Sequence, residues 1–230
     1  MSDAAPKAGA PQQPSIWTRP ERGSRGPRPG HSRDDIVVAA IALADAGGIA
    51  AVSMRAVATA LSTSPGSLYR YVASRDDILD LMTDRVLGEL RPFPDGDGDW
   101  LNEMLLLGCR QLDLFRRHPW LLDVIPRSSG AGPHALAWFD NCLRVLQPVP
   151  CGVAAKFEAI AMMTGVTTLF ARSEASPPSF SIAGIDLTAY PHLAAAFTPP
   201  TTPSPPRDLF ERTLRSLLAG LLTAELPGRP

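Results

Sequence analysis

The chain has 230 residues, 45% hydrophobic and 20% charged, with a formal net charge of −1. These figures exclude a multi-domain assembly and a uniformly basic surface that would coat nucleic acid. No uninterrupted apolar run reaches the roughly 18 to 20 residues that cross a bilayer, and residues 1–30 lack the apolar core of a secretion signal. A cytoplasmic protein with no membrane partner is expected. Cys109, Cys142 and Cys151 form no C-x-x-C pair, which points to reduced thiols rather than a disulfide framework or a zinc knuckle.

Residues 1–30 hold six Pro and four Gly, with Ile16 and Trp17 the only large apolar side chains, so this stretch is expected to be a disordered arm. Residues 1–33 carry six basic groups against two acidic ones. The arm is either a solvated tail or a basic extension that reaches a DNA groove. Order is expected from Ser32, because Ser32-x-x-Asp35 reads as a capping box and Ile36, Ala40, Leu43 and Ala44 follow helical spacing up to Gly47-Gly48. Ser53 opens a short second helix. Leu61-Ser62-Thr63 break it, and Ser64 with Pro65 at the first helical position starts a third that ends near Val72. Ser74-x-x-Asp77 reads as another capping box, heading a fourth helix with Ile78, Leu81, Met82 and Val86 on its inner face. Further helices are expected from Trp100 to His118-Pro119, then at about 119–126, 133–146, 151–173 and 207–224, with one turn near Tyr190 to Phe197. No segment alternates with period two. The fold class is all-α, divided into the arm (1–30), a helix-turn-helix domain (31–78) and a larger helical domain (79–230).

The second and third helices, joined by a three-residue turn, form a helix-turn-helix of the size that fits the major groove. Leu68 and Val72 turn inward. That frees Thr63, Ser64, Ser67, Tyr69, Arg70 and Tyr71 for a partner. The same pattern also suits an ordinary helical packing unit. Residues 31–80 hold four Arg against six Asp, which keeps open a helical ligand-binding or interaction protein whose helix-turn-helix is vestigial.

Residues 52–79, V-S-M-R-A-V-A-T-A-L-S-T-S-P-G-S-L-Y-R-Y-V-A-S-R-D-D-I-L, resemble the DNA-binding domain of TetR-family transcriptional regulators. His118-Pro119-Trp120, Ala189-Tyr-Pro-His-Leu and the Leu-rich stretch after Asp208 are similar to the branch that contains the tetracycline repressor. The resemblance implies a homodimeric, ligand-responsive repressor with a palindromic double-stranded operator as its partner. By position, Arg55 would meet a base or a phosphate, Ser67 and Arg70 bases, and Tyr69 and Tyr71 phosphates. Arg75 stands where the family usually has a phosphate-binding Lys. Gly66 departs from the pattern, because it has no side chain to read a base.

A small apolar or aromatic effector is implied in the larger domain, with Met104, Trp120, Trp138, Asn141, Met162 and Thr164 as its lining, and Asn102 and Gln111 as further polar anchors. The segment from Val153 to Phe170 is apolar nearly all round. With the last helix it would form the homodimer interface, through residues near 153–172 and 207–224; an internal core helix is the alternative. None of the short enzyme motifs for metalloproteases, serine hydrolases, P-loops or dinucleotide binding occurs. No catalytic residue, metal site or cofactor is expected.

Overall fold

A computed structural model of the chain describes residues 16–19, 30–96, 98–125, 131–175, 184, 186–196 and 208–223. The described residues form ten α-helices and no strand. Helix α1 (Arg33–Gly47) starts at the expected capping box, where the Ser32 hydroxyl accepts the Asp35 N–H at 3.1 Å and the Asp35 carboxylate accepts the Ser32 N–H at 2.7 Å. The Ser32 N–H, followed by the Ser32 hydroxyl 2.8 Å from the same oxygen, holds the Asp35 carboxyl below the usual carboxylate range. The helix ends at Gly48, whose φ of 69° is open to glycine and strained for other residues.

A 3-10 turn over Ile49–Ala51, absent from the sequence reading, leads to α2 (Met54–Ala60) and α3 (Pro65–Leu68). Their N-caps are Ser53 and Ser64. Ser74 caps α4 (Arg75–Leu87) through the Asp77 N–H at 3.2 Å. The reciprocal half of the expected capping box is not made. The Asp77 carboxylate instead accepts the Ala73 N–H at 2.6 Å and pairs with Arg19, a cation from outside the helix that draws it away from the Ser74 amide.

Arg19 belongs to a short N-terminal segment assigned by sequence to the unfolded arm. Residues Ile16–Thr18 form a 3-10 turn with Ile16 buried. Arg33 donates to the Arg19 carbonyl and also to the Tyr71 carbonyl. The segment is thus tied to the turn that follows α3. Two polar side chains and one buried apolar anchor suffice to order it locally, which proline and glycine content over thirty residues does not reveal.

The larger domain comprises α5 (Trp100–Arg117), α6 (Leu121–Val124), α7 (Pro133–Val145), α8 (Val153–Ala175), α9 (Pro191–Ala196) and α10 (Leu209–Thr223). Helices α5, α8 and α10 pack on one another. Gly108 lets α5 approach closely, because a Cβ there would run into Leu214 of α10 and touch Met163 of α8. Phe170 and Phe210 meet edge to face at 5.3 Å between ring centroids, pinning α8 to α10.

Within one chain α8 buries only one side. Ala159, Ile160, Met163, Thr167 and Ala171 face inward, whereas Met162 is 49% and Leu169 62% exposed. By length and composition this 23-residue helix could cross a membrane, although it carries Lys156, Glu158, Arg172 and Glu174. Its inner side is taken by α5 and α10. The buried apolar residues form one cluster that runs from Ile36, Val57 and Leu68, through Ile78, Met82 and Val86 of α4, to Phe115, Ile160 and Leu218. The boundary expected after residue 78 therefore falls inside α4, which packs into both parts.

Candidate nucleic-acid interface and ligand cavity

Helix α2 is closed by Ser62 at φ 52°, a left-handed residue that lets the Thr63 N–H return to the Ala58 carbonyl at 2.9 Å. For a non-glycine residue this conformation costs about 1 kcal/mol. It turns the chain sharply enough to set α3 across α2. Leu68 and Val72 are buried, as their spacing requires, and they orient the outer face.

Arg55, Tyr69 and Arg70 stand exposed on that face, with Thr63 and Ser67 half-buried beside them. Ser64 works first as a cap: its hydroxyl accepts the Ser67 N–H and lies 3.0 Å from the Ser67 hydroxyl. Tyr71 is half-buried and packs against the core. Arg75 is engaged within the fold. Its guanidinium donates to the carbonyls of Val52 and Ile49, both at 2.7 Å. The Ile49 carbonyl already accepts the Val52 N–H at 3.3 Å, and the guanidinium adds a second donor to it while also reaching the Val52 carbonyl, which a carbonyl's two lone pairs allow. With Arg33 likewise committed to backbone carbonyls, Arg55 and Arg70 are the cations of this head that engage no hydrogen bond or ion pair among the described residues.

Arg75→Ala should therefore act first on stability. Removing two charged hydrogen bonds to backbone carbonyls is expected to cost about 2 to 3 kcal/mol, read as a lowered midpoint in chemical denaturation. An unchanged midpoint would return Arg75 to the role of a phosphate ligand.

Polar contacts centred on two carboxylates join the helices of the head to those of the larger domain. Asp45, in the last turn of α1, accepts from the Trp120 indole N–H at 2.7 Å and lies 2.7 Å from Nδ1 of His118. Nε2 of His118 lies 3.4 Å from the Glu89 carboxylate. On the other side of α4, the Asp84 carboxylate accepts the N–H groups of His134 and Ala135, each at 2.9 Å, and so caps α7 from a different helix. Gly132 makes room for this cap, since a Cβ there would collide with Asp84 and Trp17.

A cavity of about 310 Å³ opens between α4, α5, α7 and α8, within the size range of small-molecule sites. Trp138 and Thr164, both expected from sequence, lie on its wall, as does Gln111. The other expected residues lie elsewhere. Met104 is fully buried in the core, and Trp120 is buried with its indole on Asp45. The Asn141 amide oxygen accepts from Arg144 beside a separate shallow depression. Met162 points to the outer face of α8, and Asn102 accepts from Arg215. What the sequence reading missed is the contribution of α4. Asp80, Thr83, Asp84 and Leu87 line the cavity at i, i+3, i+4 and i+7, a second stripe beside the apolar one and the only signal that could have exposed them.

Among the described residues no cluster of His, Cys, Asp or Glu is arranged to hold a metal ion. Burial pushes the Cys142 thiol up to about 12 and is the main cause that raises Cys109, so neither is a ready thiolate near neutral pH.

Similarity to known proteins follows this division of the chain. Residues 36–82 match the bacterial regulatory proteins of the tetR family, and residues 92–224 match the tetracyclin repressor-like C-terminal domain. The HTH-type transcriptional repressor DrrR1 of Streptomyces coeruleorubidus is 39% identical over 160 residues, which is 69% of this chain and 59% of that protein. An HTH-type transcriptional regulator of Saccharopolyspora erythraea is 35% identical over 59% of this chain and 56% of its own length. The chain thus matches less than two thirds of the length of either relative. Streptomyces coelicolor ActR, solved in complex with (S)-DNPA, superposes with a TM-score of 0.70 at 28% identity, covering 84% of this chain and 98% of that one. ActR in complex with actinorhodin gives 0.69 at 27% identity over 84% and 97%. With both of its parts matched in order, and the larger match alone covering more than half of its residues, the chain belongs to the TetR family of bacterial transcriptional regulators.

Proposed function

We propose that the protein is a cytoplasmic, ligand-responsive transcriptional repressor that binds a palindromic operator as a homodimer and leaves it when a small effector enters the cavity. The observation that carries this reading is the make-up of the cavity wall, four residues of which belong to α4. That helix begins directly after the DNA-reading turn. A ligand held there touches the element that sets the position of α3, and it shifts the equilibrium by its differential affinity for the two head positions. Support comes from DrrR1, which is named a repressor, and from ActR, which has been seen with actinorhodin.

Arg70, Ser67 and Arg55 are assigned to base edges and nearby phosphates, Tyr69, Tyr71 and Thr63 to the backbone, and Ser64 to the start of α3. The dimer is assigned to the outer faces of α8 and α10, where Leu169, Met162, Leu209 and Leu221 are exposed on the single chain. The test is linkage. Effector should weaken operator binding, and saturating operator should weaken effector binding by the same factor, measured by mobility shift and by calorimetry on the same preparation. Identical effector affinities with and without operator would refute release by induction even if DNA binding stood.

The basic N-terminal stretch is assigned a sequence-independent role at the phosphates. Replacing Arg22, Arg25 and Arg28 with Ala should flatten the slope of log affinity against log salt by about 0.9 for each phosphate that is no longer neutralised. A slope equal to that of the parent protein would show that these residues meet solvent alone.

A further inference from the structure

The polar groups on the cavity wall are of two kinds. Asp80 and Asp84 of α4 are buried there, and both are already engaged inside the protein. Asp84 accepts the N–H groups of His134 and Ala135, each at 2.9 Å, and Asp80 has a partner of its own. No Lys, Arg or His stands among the described wall residues. An anionic ligand would meet two buried carboxylates and no counter-charge, and a cationic one would give up its hydration for carboxylates that are taken. The wall suits an uncharged guest.

The neutral groups are the ones left open. Thr83 is 5% exposed and Gln111 3% exposed, and among the described residues neither Oγ1 of Thr83 nor Oε1 of Gln111 has a hydrogen-bond partner. The Gln111 amide nitrogen reaches the Thr164 hydroxyl at 3.4 Å, a long bond. These three side chains come from α4, α5 and α8 and line one cavity. Buried polar atoms without partners are rare in folded proteins, and here they share a wall with empty space. Turned either way, the Gln111 amide leaves one of its ends unmatched, an acceptor in one orientation and a donor in the other. A ligand hydroxyl donates one hydrogen bond and accepts others, so it satisfies both cases, whereas an ether or a carbonyl satisfies one. Aromatic surface stands on the same wall in Trp138 and Phe139 of α7. Phe93 packs on the Trp138 indole with 6.2 Å between ring centroids, which braces that indole for a flat partner.

We propose that the cavity is a site for an uncharged, hydroxyl-bearing aromatic compound, whose ring lies against Trp138 and whose hydroxyl is shared by Thr83, Gln111 and Thr164. This rests on the ligand-responsive reading above and narrows it, because a purely apolar ring would leave Thr83 and Gln111 unmatched. It also makes Thr83 a specificity-determining residue on the helix that follows the DNA-reading turn.

Four compounds with one skeleton test the assignment on the full-length protein by isothermal titration near neutral pH: 2-naphthol, 2-methylnaphthalene, 2-naphthoate and (2-naphthyl)methylamine. The naphthol, with a phenol of Tyr-like acidity, is uncharged under these conditions, while the carboxylate and the amine are ionised. Burial of apolar area favours the methyl compound. The naphthol is nevertheless expected to bind at least about tenfold more tightly, because a site built to hydrogen-bond a hydroxyl rejects the analogue that lacks one. Both ionised compounds are expected to bind more weakly than the naphthol. Thr83→Val and Gln111→Leu remove the unmatched atoms with little change of volume, and each should shrink the preference for hydroxyl over methyl to about threefold or less, with the methyl compound bound at least as tightly as by the parent protein. Any of the other three compounds binding as tightly as the naphthol, an absence of naphthol binding, or an undiminished preference in either variant would each overturn the proposal. Should one variant fail to fold, the other variant and the parent protein's ranking of the four compounds still decide.

A mobility shift separates this from the broader reading. A naphthol that binds with the stated preference and yet leaves the protein on its operator refutes release and keeps the site. Release by an ionised or hydroxyl-free compound, with no preference for the naphthol, does the reverse.

Discussion

A Leu169→Glu protein is expected to run as a monomer in light scattering and to lose operator affinity by a factor of about 10² to 10⁴, the range over which linked binding exceeds single-site binding. Leu169 is 62% exposed on the single chain, so a carboxylate there costs the fold of one protomer little. In a pair of protomers joined through α8 and α10 the same carboxylate would be buried without a partner, which is costly. Operator affinity follows because two α3 segments can enter successive major grooves only when they are held about one helical turn, roughly 34 Å, apart. A single head retains its own contacts and loses the second set. A Leu169→Glu protein that remained dimeric would move the interface away from this face of α8.

Arg70→Ala is expected to lower affinity for the operator by about 1 to 3 kcal/mol, the value of a bidentate contact with one guanine, and to relax the sequence preference at that one position. Binding to random DNA should fall much less. The effect is concentrated on this residue because the head has so few uncommitted cations: Arg33 and Arg75 are bound to backbone carbonyls. Arg70→Lys should restore charge without restoring discrimination, since an ammonium cannot form the fork that two acceptors on one base edge require. Equal losses on specific and random DNA in Arg70→Ala would show that Arg70 positions the protein and reads nothing.

The helix starts were legible because their causes are local. Ser32, Ser53, Ser64 and Ser74 each sit one residue before a helix and cap it within three positions. The inward turn of Leu68 and Val72 follows from helical spacing and needs no knowledge of the rest of the chain. The structural role of Arg75 was not legible, for the opposite reason. Its partners are carbonyls more than twenty residues earlier, in and just after a 3-10 turn that carries no sequence signal of its own.

The cavity was legible only in part. Periodicity places Met104 and Trp138 alike on inner faces, and it cannot say which inner face meets another helix tightly and which leaves a gap. Asp80 and Asp84 were overlooked because carboxylates on a helix are usually solvated. Asp84 is buried where it caps the start of α7, a helix that packs on α4 from more than forty residues away. Asp77 likewise satisfies a local pattern in principle, and a distant arginine changes the outcome.

Because α4 contributes Ile78, Met82 and Val86 to a single apolar cluster that runs from α1 to α10, the head and the larger domain share a folding unit. Pulling α4 out of either side would strip apolar side chains from both, so neither half melts on its own account, and local opening is confined to helix ends and loops with few buried neighbours. A fragment cut after residue 78 would keep α2 and α3 and lose most of α4. One thirteen-residue helix serves as the last wall of one unit and the first wall of the next, so the described helices are expected to unfold together, as coincident transitions by different probes would show.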